Sequence, residues 1–524
     1  MAFMLAPMAL ERPAELALQD DTGAVTWRDL NLRVNQLIRV FQAAGLKAGD
    51  RLALFAGNTR HYFEVMVAAH HVGLRYVPVN WHFTAEELAY VLQDCAASAL
   101  VTDARFAGIA QQALRLVPDC ARQLRVCLDA AAASVAPGFE PLDALLATQP
   151  EPSEPLGQSA GGPMFYTSGT TGRPKGVLRK AAGASTGIET VRTFALGMTE
   201  MVGLPVRGIT LLAGPIYHSA QWSFCFAAFL LGSRVVMAHK FDAEQTLELI
   251  DLHQVTNVHL VPTQFLRLLR LPAEVRARFR GRSLQKVWHG AAPCAPEVKR
   301  DMITWWGPCI HEYYGSTEGA IVTGITSAEW LQRPGSVGRQ LGKVEFHILR
   351  EDGSPAPATE SGTIYMRNQN AIELEYHNDP AKTAAAHQGG SLFTTGDVGW
   401  VDAEGFLYLT DRKIDMIISG GVNIYPAEIE SALCTHVAVH DVAVFGVPNA
   451  EFGEEVKALV ELTPGHAASE DLTLQLLAHC RQTLAGYKVP RSIEFRTTLP
   501  RTETGKLQKR LLRDAYWVGT GRKI

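Results

Sequence analysis

The chain has 524 residues, a length that predicts more than one domain because single hydrophobic cores stop growing near roughly 250–300 residues. Apolar residues make up 47% and charged residues 19%, too apolar a mixture for a disordered chain. With 49 Lys and Arg against 53 Asp and Glu, a net charge of −4 and no basic block, non-specific nucleic-acid binding is disfavoured.

The first 150 residues alternate helical and strand periods. Trp27 to Ala44 sets Leu30, Val34, Leu37, Ile38 and Phe41 on one face, the spacing of an amphipathic helix. Arg51-Leu-Ala-Leu-Phe-Ala reads as a strand, His61 to His71 as a helix and Tyr76-Val-Pro-Val as the next strand. That succession predicts crossover units on a parallel sheet covered on both faces. A turn-rich stretch beginning at Glu151 then leads into Pro163-Met-Phe-Tyr and a glycine-threonine loop. From Ile209 to Trp288 strands and helices alternate again, with strands at Arg234-Val-Val-Met-Ala and Val258-His-Leu-Val.

The least polar window, Trp222 to Ser233, falls short of the roughly 20 residues a bilayer span needs. It predicts a buried core helix and no stable membrane insertion. Over 340–410, Val344-Glu-Phe-His-Ile-Leu, Gly362-Thr-Ile-Tyr-Met and Gly405-Phe-Leu-Tyr-Leu are short strands between turns, the pattern of antiparallel β structure. After Asp411 come strands at Val442-Ala-Val-Phe-Gly-Val and Val456-Lys-Ala-Leu-Val-Glu-Leu and a helix from Leu472 to Leu484, enough for a small α+β domain. The expected class is therefore α/β. A large body of parallel-sheet subdomains plus a β subdomain would span 1–411, followed by a small mobile α+β domain over 412–524, hinged at about 411–415. Eight scattered cysteines without a C-x-x-C pair fit buried thiols in a reducing cytoplasm better than a disulfide scaffold or zinc ribbon. The first residues also lack the charged n-region of a secretory signal.

Tyr166-Thr-Ser-Gly-Thr-Thr-Gly-Arg-Pro-Lys-Gly-Val177 carries the most chemistry. Thr167, Ser168, Thr170 and Thr171 offer hydroxyls, Gly169 and Gly172 let backbone approach a ligand closely, and Lys175 adds a positive charge. Together they suit a polyphosphate, although the Walker A spacing is absent. The segment closely resembles the signature loop of the adenylate-forming (AMP-binding) superfamily, in its acyl-CoA synthetase and acid–CoA ligase branch. Four further stretches match family motifs in the family's order: Tyr314-Gly-Ser-Thr-Glu-Gly319, Thr395-Gly-Asp397, Asp411 to Pro426, and Pro500-Arg-Thr-Glu-Thr-Gly-Lys506.

The resemblance implies two steps. A carboxylate attacks the α-phosphate of ATP to give an acyl-adenylate and pyrophosphate, and a thiol, usually that of coenzyme A, then displaces AMP. It implies that Lys506 bridges the carboxylate and the α-phosphate, that Glu318 holds Mg²⁺, and that Thr317 contacts the α-phosphate. It also implies that Asp397 accepts both ribose hydroxyls beside Arg412, and that Tyr314, next to Gly315, stacks on adenine. Gly290-Ala291-Ala292 would flank the other face of the base, its small residues leaving room for a flat ring. His218 would line the path between the acyl and thiol sites, and Gly420-Gly421 the pantetheine tunnel. The family's hinge position commonly holds lysine or aspartate; here it is Ile414, with Lys413 beside it.

The stretches that line the acyl pocket in this family fall at about 218–224, 261–266, 288–290 and 314–323, with Glu318 as their one acid and no Lys or Arg. An amino acid or a dicarboxylate would lack its counter-charge there. Apolar substrates remain: fatty, alicyclic or steroid-type acids, with aryl acids as an alternative. Loading of a carrier-protein phosphopantetheine is the other alternative to free coenzyme A, and a homodimer is an arrangement open to the chain.

Overall fold

The computed structural model describes residues 5–129, 135–149, 159, 161–167, 174–181, 189–369, 372–388, 391–412, 415–420, 422–502 and 506–518. The amphipathic stretch near the start is a helix, Trp27–Ala43, burying Leu30, Val34, Leu37, Ile38 and Phe41. Thr26 begins it, its hydroxyl accepting the Asp29 amide at 3.2 Å, a cap of the kind worth about 1 kcal/mol.

Two parallel sheets form the body. In the first, Glu140–Pro141, Leu124–Leu128, Ala99–Asp103, Arg51–Phe55, Arg75–Pro78 and Gly162–Pro163 run side by side in that order. Ala99–Asp103 is buried at every residue, as a strand covered on both faces must be. In the second, Leu16–Asp20, Arg234–Met237, Ile209–Leu212, Asn257–Leu260, Lys286–His289 and Ile310–Ser316 are also all parallel. Between the sheets lies the helix Ser219–Leu230, starting three residues before the apolar window read from the sequence. Its Trp222, Phe226 and Phe229 share a core with Trp27 and Phe63, and the Trp27 and Phe229 rings stack at 5.2 Å.

A buried asparagine fastens the two sheets together. Asn58, 1% exposed, donates to the carbonyls of Gly214 at 2.9 Å and Ala238 at 3.0 Å, and accepts the Ile216 amide at 2.9 Å. Every polar atom of its amide is thereby used across the seam, which removes the desolvation cost of burying it.

Beyond Ser316 the second sheet turns antiparallel through Ala320–Ile325 and Ser336–Gln340, then through Leu407–Arg412, Asp397–Val401, Gly362–Asn368 and Val344–Leu349. This is the β structure expected over 340–410. The tail builds a separate sheet from Ile417–Ser419, Val422–Ile424, Val439–Asn449, Gly453–Leu462 and Ser492–Arg496. Helices Pro426–Cys434 and Glu470–Thr483 cover one side through Ile429, Leu433 and Leu476, and Lys509–Trp517 packs Tyr516 on Phe445 at 5.7 Å. The tail meets the body where Arg270 donates to His440 Nδ1 at 2.7 Å and to the His440 carbonyl at 2.9 Å. Among the described residues no helix is long and apolar enough to cross a membrane.

Candidate active site

Parallel sheets gather chemistry at the carboxyl ends of their strands, where the connecting loops emerge together. In the second sheet, Ile209–Leu212 leads to His218, Lys286–His289 to Gly290, and Ile310–Ser316 to Thr317 and Glu318. His218 is the residue before the Ser219–Leu230 helix, and Ser219 Oγ lies 2.8 Å from Thr317 Oγ1. The motif histidine and the motif threonine are thus neighbours, although 99 positions separate them (317 − 218).

Alternation along Ile310–Ser316 sends successive tyrosines to opposite faces. Tyr314 donates to Asp397 Oδ2 at 2.7 Å, and the Thr395 hydroxyl donates to the same oxygen at 2.8 Å. Asp397 faces Arg412 in antiparallel register. The Arg412 side chain lies outside the described atoms. The turn that carries Thr317 and Glu318 is tied by the Gly319 amide donating to Ser316 Oγ at 2.8 Å. Gly315 permits the close return of the chain, since a Cβ there would sit 2.1 Å from the Ala320 carbonyl oxygen.

Glu318 Oε1 accepts from the Tyr376 hydroxyl at 3.3 Å, and the Lys382 ammonium lies 4.3 Å over the Tyr376 ring. Thr167 and Lys175 pair in antiparallel register. The Lys175 ammonium is ion-paired with Asp379, the residue that caps the helix Pro380–Ala386. That hydrogen bond, with the Lys382 amide, holds the Asp379 carboxyl below its usual range. Burial and the nearby Lys175 charge lower Lys382, partly countered by Glu318 and Asp379. Ser168, Gly169, Thr170, Thr171 and Gly172 lie outside the described residues, as do Lys413, Ile414 and Gly421.

On the opposite face of the same strand Tyr313 packs against Gly290. A Cβ on Gly290 would lie 2.7 Å from Tyr313 Cε1, so the flat ring that this glycine admits is the tyrosine's own. Ala291 adopts a left-handed φ of 67° immediately beyond, and Ala292 follows it. The Tyr313 ring meets Phe224 at 5.3 Å, and its hydroxyl lies 3.1 Å from His259 Nε2. Sequence reading missed Tyr313, His259, Tyr376 and Lys382. A histidine inside the otherwise apolar Val258-His-Leu-Val strand was the one available signal.

In the tail, Gly420 takes a left-handed φ of 57°, its amide donating to the Phe452 carbonyl at 2.8 Å. The Lys506 amide donates to Thr502 Oγ1 at 3.1 Å, and Arg501 forms a two-pronged ion pair with Asp441 at 2.5 and 2.6 Å. Among the described residues no group of three or more His, Cys, Asp or Glu side chains is arranged to hold a metal.

The family profile described as AMP-binding enzyme matches residues 7–376, and that of the AMP-binding enzyme C-terminal domain matches residues 428–506. The chain therefore belongs to the AMP-binding enzymes. A feruloyl-CoA synthase of Amycolatopsis sp is 32% identical over 95% of this chain and 95% of its own. A CoA ligase of Rhodococcus jostii, named for a methyl-dioxo-octahydroindenyl propanoyl group, is 31% identical over 97% and 98%. Among solved structures, the o-succinylbenzoate CoA synthetase of Bacillus subtilis in complex with its acyl-adenylate intermediate superposes with a TM-score of 0.80, at 26% identity over 98% of both chains.

Proposed function

We propose that this chain is an ATP-dependent acid–CoA ligase. It would join a carboxylic acid to AMP with release of pyrophosphate, and then pass the acyl group to the thiol of coenzyme A. The observation that carries the reading is the convergence of the Tyr314 and Thr395 hydroxyls on Asp397 Oδ2, with Thr317 and Glu318 in the turn that follows the Tyr314 strand. The relatives named as CoA synthases and ligases support the same chemistry.

In this reading Asp397 and Arg412 receive the ribose, while Tyr314 and Ala291–Ala292 flank the adenine, the space at Gly290 being taken by the Tyr313 ring. Residues 167–172 and Lys175 take the phosphates, so Lys175 exchanges Asp379 for the nucleotide. Thr317, steadied by Ser219, sits at the α-phosphate. The single carboxylate of Glu318 fits Mg²⁺ that is held mainly by ATP oxygens, a common mode for this ion. Bound there, the metal would neutralise phosphate charge. Two anions meet in the first step, so a further cation is required, and Lys506 supplies it. His218 lines the path between the acid and the thiol.

For the second step Gly420 and Gly421 leave room for the thin pantetheine arm. Residues 1–411 act as the body and 412–524 as the domain that turns about 411–415 between the steps. Ile414 at the hinge leaves rotation intact, because rotation needs free φ and ψ rather than charge. The acid is one with an apolar body, fatty, alicyclic, steroid-type or aryl, since the pocket stretches carry no Lys or Arg. The test is AMP release over a panel of acids with free coenzyme A and no carrier protein. Release that depends on both acid and coenzyme A supports the reading; release only with a phosphopantetheinylated carrier overturns it.

A further inference from the structure

The face of the Ile310–Ser316 strand that bears Tyr313 holds a buried polar relay. Gln221 Nε2 lies 2.9 Å from His259 Nδ1 and 3.2 Å from the His259 carbonyl oxygen. A carbonyl only accepts, so the atom facing it is the amide nitrogen and not the amide oxygen. The same nitrogen donates to Nδ1, which must therefore carry no proton. The His259 proton sits on Nε2, and that N–H donates to the Tyr313 hydroxyl oxygen at 3.1 Å. Burial pushes the His259 imidazole down to about 3, so the ring stays neutral with one proton at ordinary pH.

Tyr313 has accepted, and its own O–H proton has no acceptor among the described residues. Gln221, His259 and Tyr313 are 3%, 3% and 6% exposed, so an idle donor there is costly unless something arrives to accept from it. Two glycines make room for the relay. A Cβ on Gly214 would lie 2.3 Å from Gln221 Nε2, and one on Gly290 would strike the Tyr313 ring. Phe224 and Trp288 provide the apolar wall beside it.

We infer that Tyr313 is a specificity-determining residue whose O–H donates to an oxygen on the apolar body of the acid, with His259 and Gln221 as its positioning residues. The inference rests on the acid–CoA ligase reading and narrows it. The acid is a bulky apolar carboxylic acid bearing a hydrogen-bond acceptor, a keto, ether or hydroxyl oxygen, away from its carboxylate. An acid of the same shape without that oxygen would leave the phenol proton unpartnered beside the apolar rings of Phe224 and Trp288.

The test is calorimetric titration of the full-length protein with matched acids: cyclohexyl- and indanyl-propanoic acids, each with and without a ketone at successive ring positions. Wild type is expected to bind at least one keto acid about tenfold or more tighter than its hydrocarbon partner, and Tyr313→Phe to bring that ratio close to one. Equal binding within every pair by wild type overturns the inference, as does a ratio that survives in Tyr313→Phe. The wild-type comparison decides even if the variant fails to fold. Failure of the ligase reading would look different: discrimination in binding would persist, with no coenzyme A-dependent AMP release from the preferred acid.

Discussion

At the scale of single residues the proposed function sets opposite demands on Lys506 and Asp397. In the proposed reaction the first would supply positive charge to a reaction between anions, and the second two lone-pair-rich oxygens to a neutral sugar. Replacing Lys506 with alanine is expected to lower adenylate formation about 10²–10³-fold while largely sparing thioester formation from supplied acyl-adenylate. ATP–pyrophosphate exchange and thioester release measure the two halves, and equal loss in both would count against a turning domain. Asp397→Asn keeps one acceptor oxygen but loses the charge toward which Tyr314 and Thr395 donate. The Michaelis constant for ATP should rise about ten- to hundredfold, with a smaller change in kcat, in steady-state assays. Tyr314, Thr317, Glu318 and Asp397 were legible as candidates because each sits inside a short contiguous motif, and the structure brings Tyr314 onto Asp397. Tyr313 was not, since its relay partner His259 lies 54 positions away and Gln221 a further 38.

Elements whose pattern matches their burial were equally legible. The Trp27–Ala43 helix shows its apolar stripe directly, and Arg51–Phe55 reads as a strand because Leu52 to Phe55 form a short buried apolar run. The helix Pro296–Trp306 breaks that rule. Its Lys299 side chain is fully buried and donates to Glu312 at 2.5 Å, beneath the ring of Trp330. A lysine in an amphipathic pattern is ordinarily assigned to solvent, so nothing in the sequence announces this pair. Burial lowers Lys299 and raises Glu312, each opposed by the charge of the other. Removing one partner leaves an uncompensated charge. Lys299→Met alone should therefore destabilise the fold by about 3–5 kcal/mol, whereas Lys299→Met with Glu312→Leu should fall near wild type or above it. Urea unfolding of the three proteins tests this, and additive losses would reject it.

At the scale of the whole molecule, the body and tail meet through a contact that depends on protonation. Arg270 can only donate, so His440 must present an unprotonated Nδ1 to receive it. Burial and then the Arg270 charge lower the His440 imidazole from its ordinary value of 6.5, against the opposing pull of Glu461 and Asp441, with Arg267 adding to the lowering. A histidine lowered in the folded state stabilises the contact above its unfolded value, and that contribution is lost as pH falls through the folded one. Small-angle scattering should show a compact particle at pH 8 that expands toward pH 5, reaching the profile Arg270→Ala already shows at pH 8. A wild-type profile unchanged over that range would contradict the coupling.

Asn58 has an effect beyond joining two sheets. It grips Gly214 and Ile216, and these lead directly into Tyr217 and His218, while Gly214 also seats the amide of Gln221. In the proposed function the acyl site would thus be braced from the neighbouring lobe, through the Asn58 contacts to Gly214 and Ile216. An enzyme so braced gains selectivity at the expense of tolerance: it should discriminate sharply between acids of slightly different girth, and broadening its diet would begin at position 58, well away from any atom that reacts.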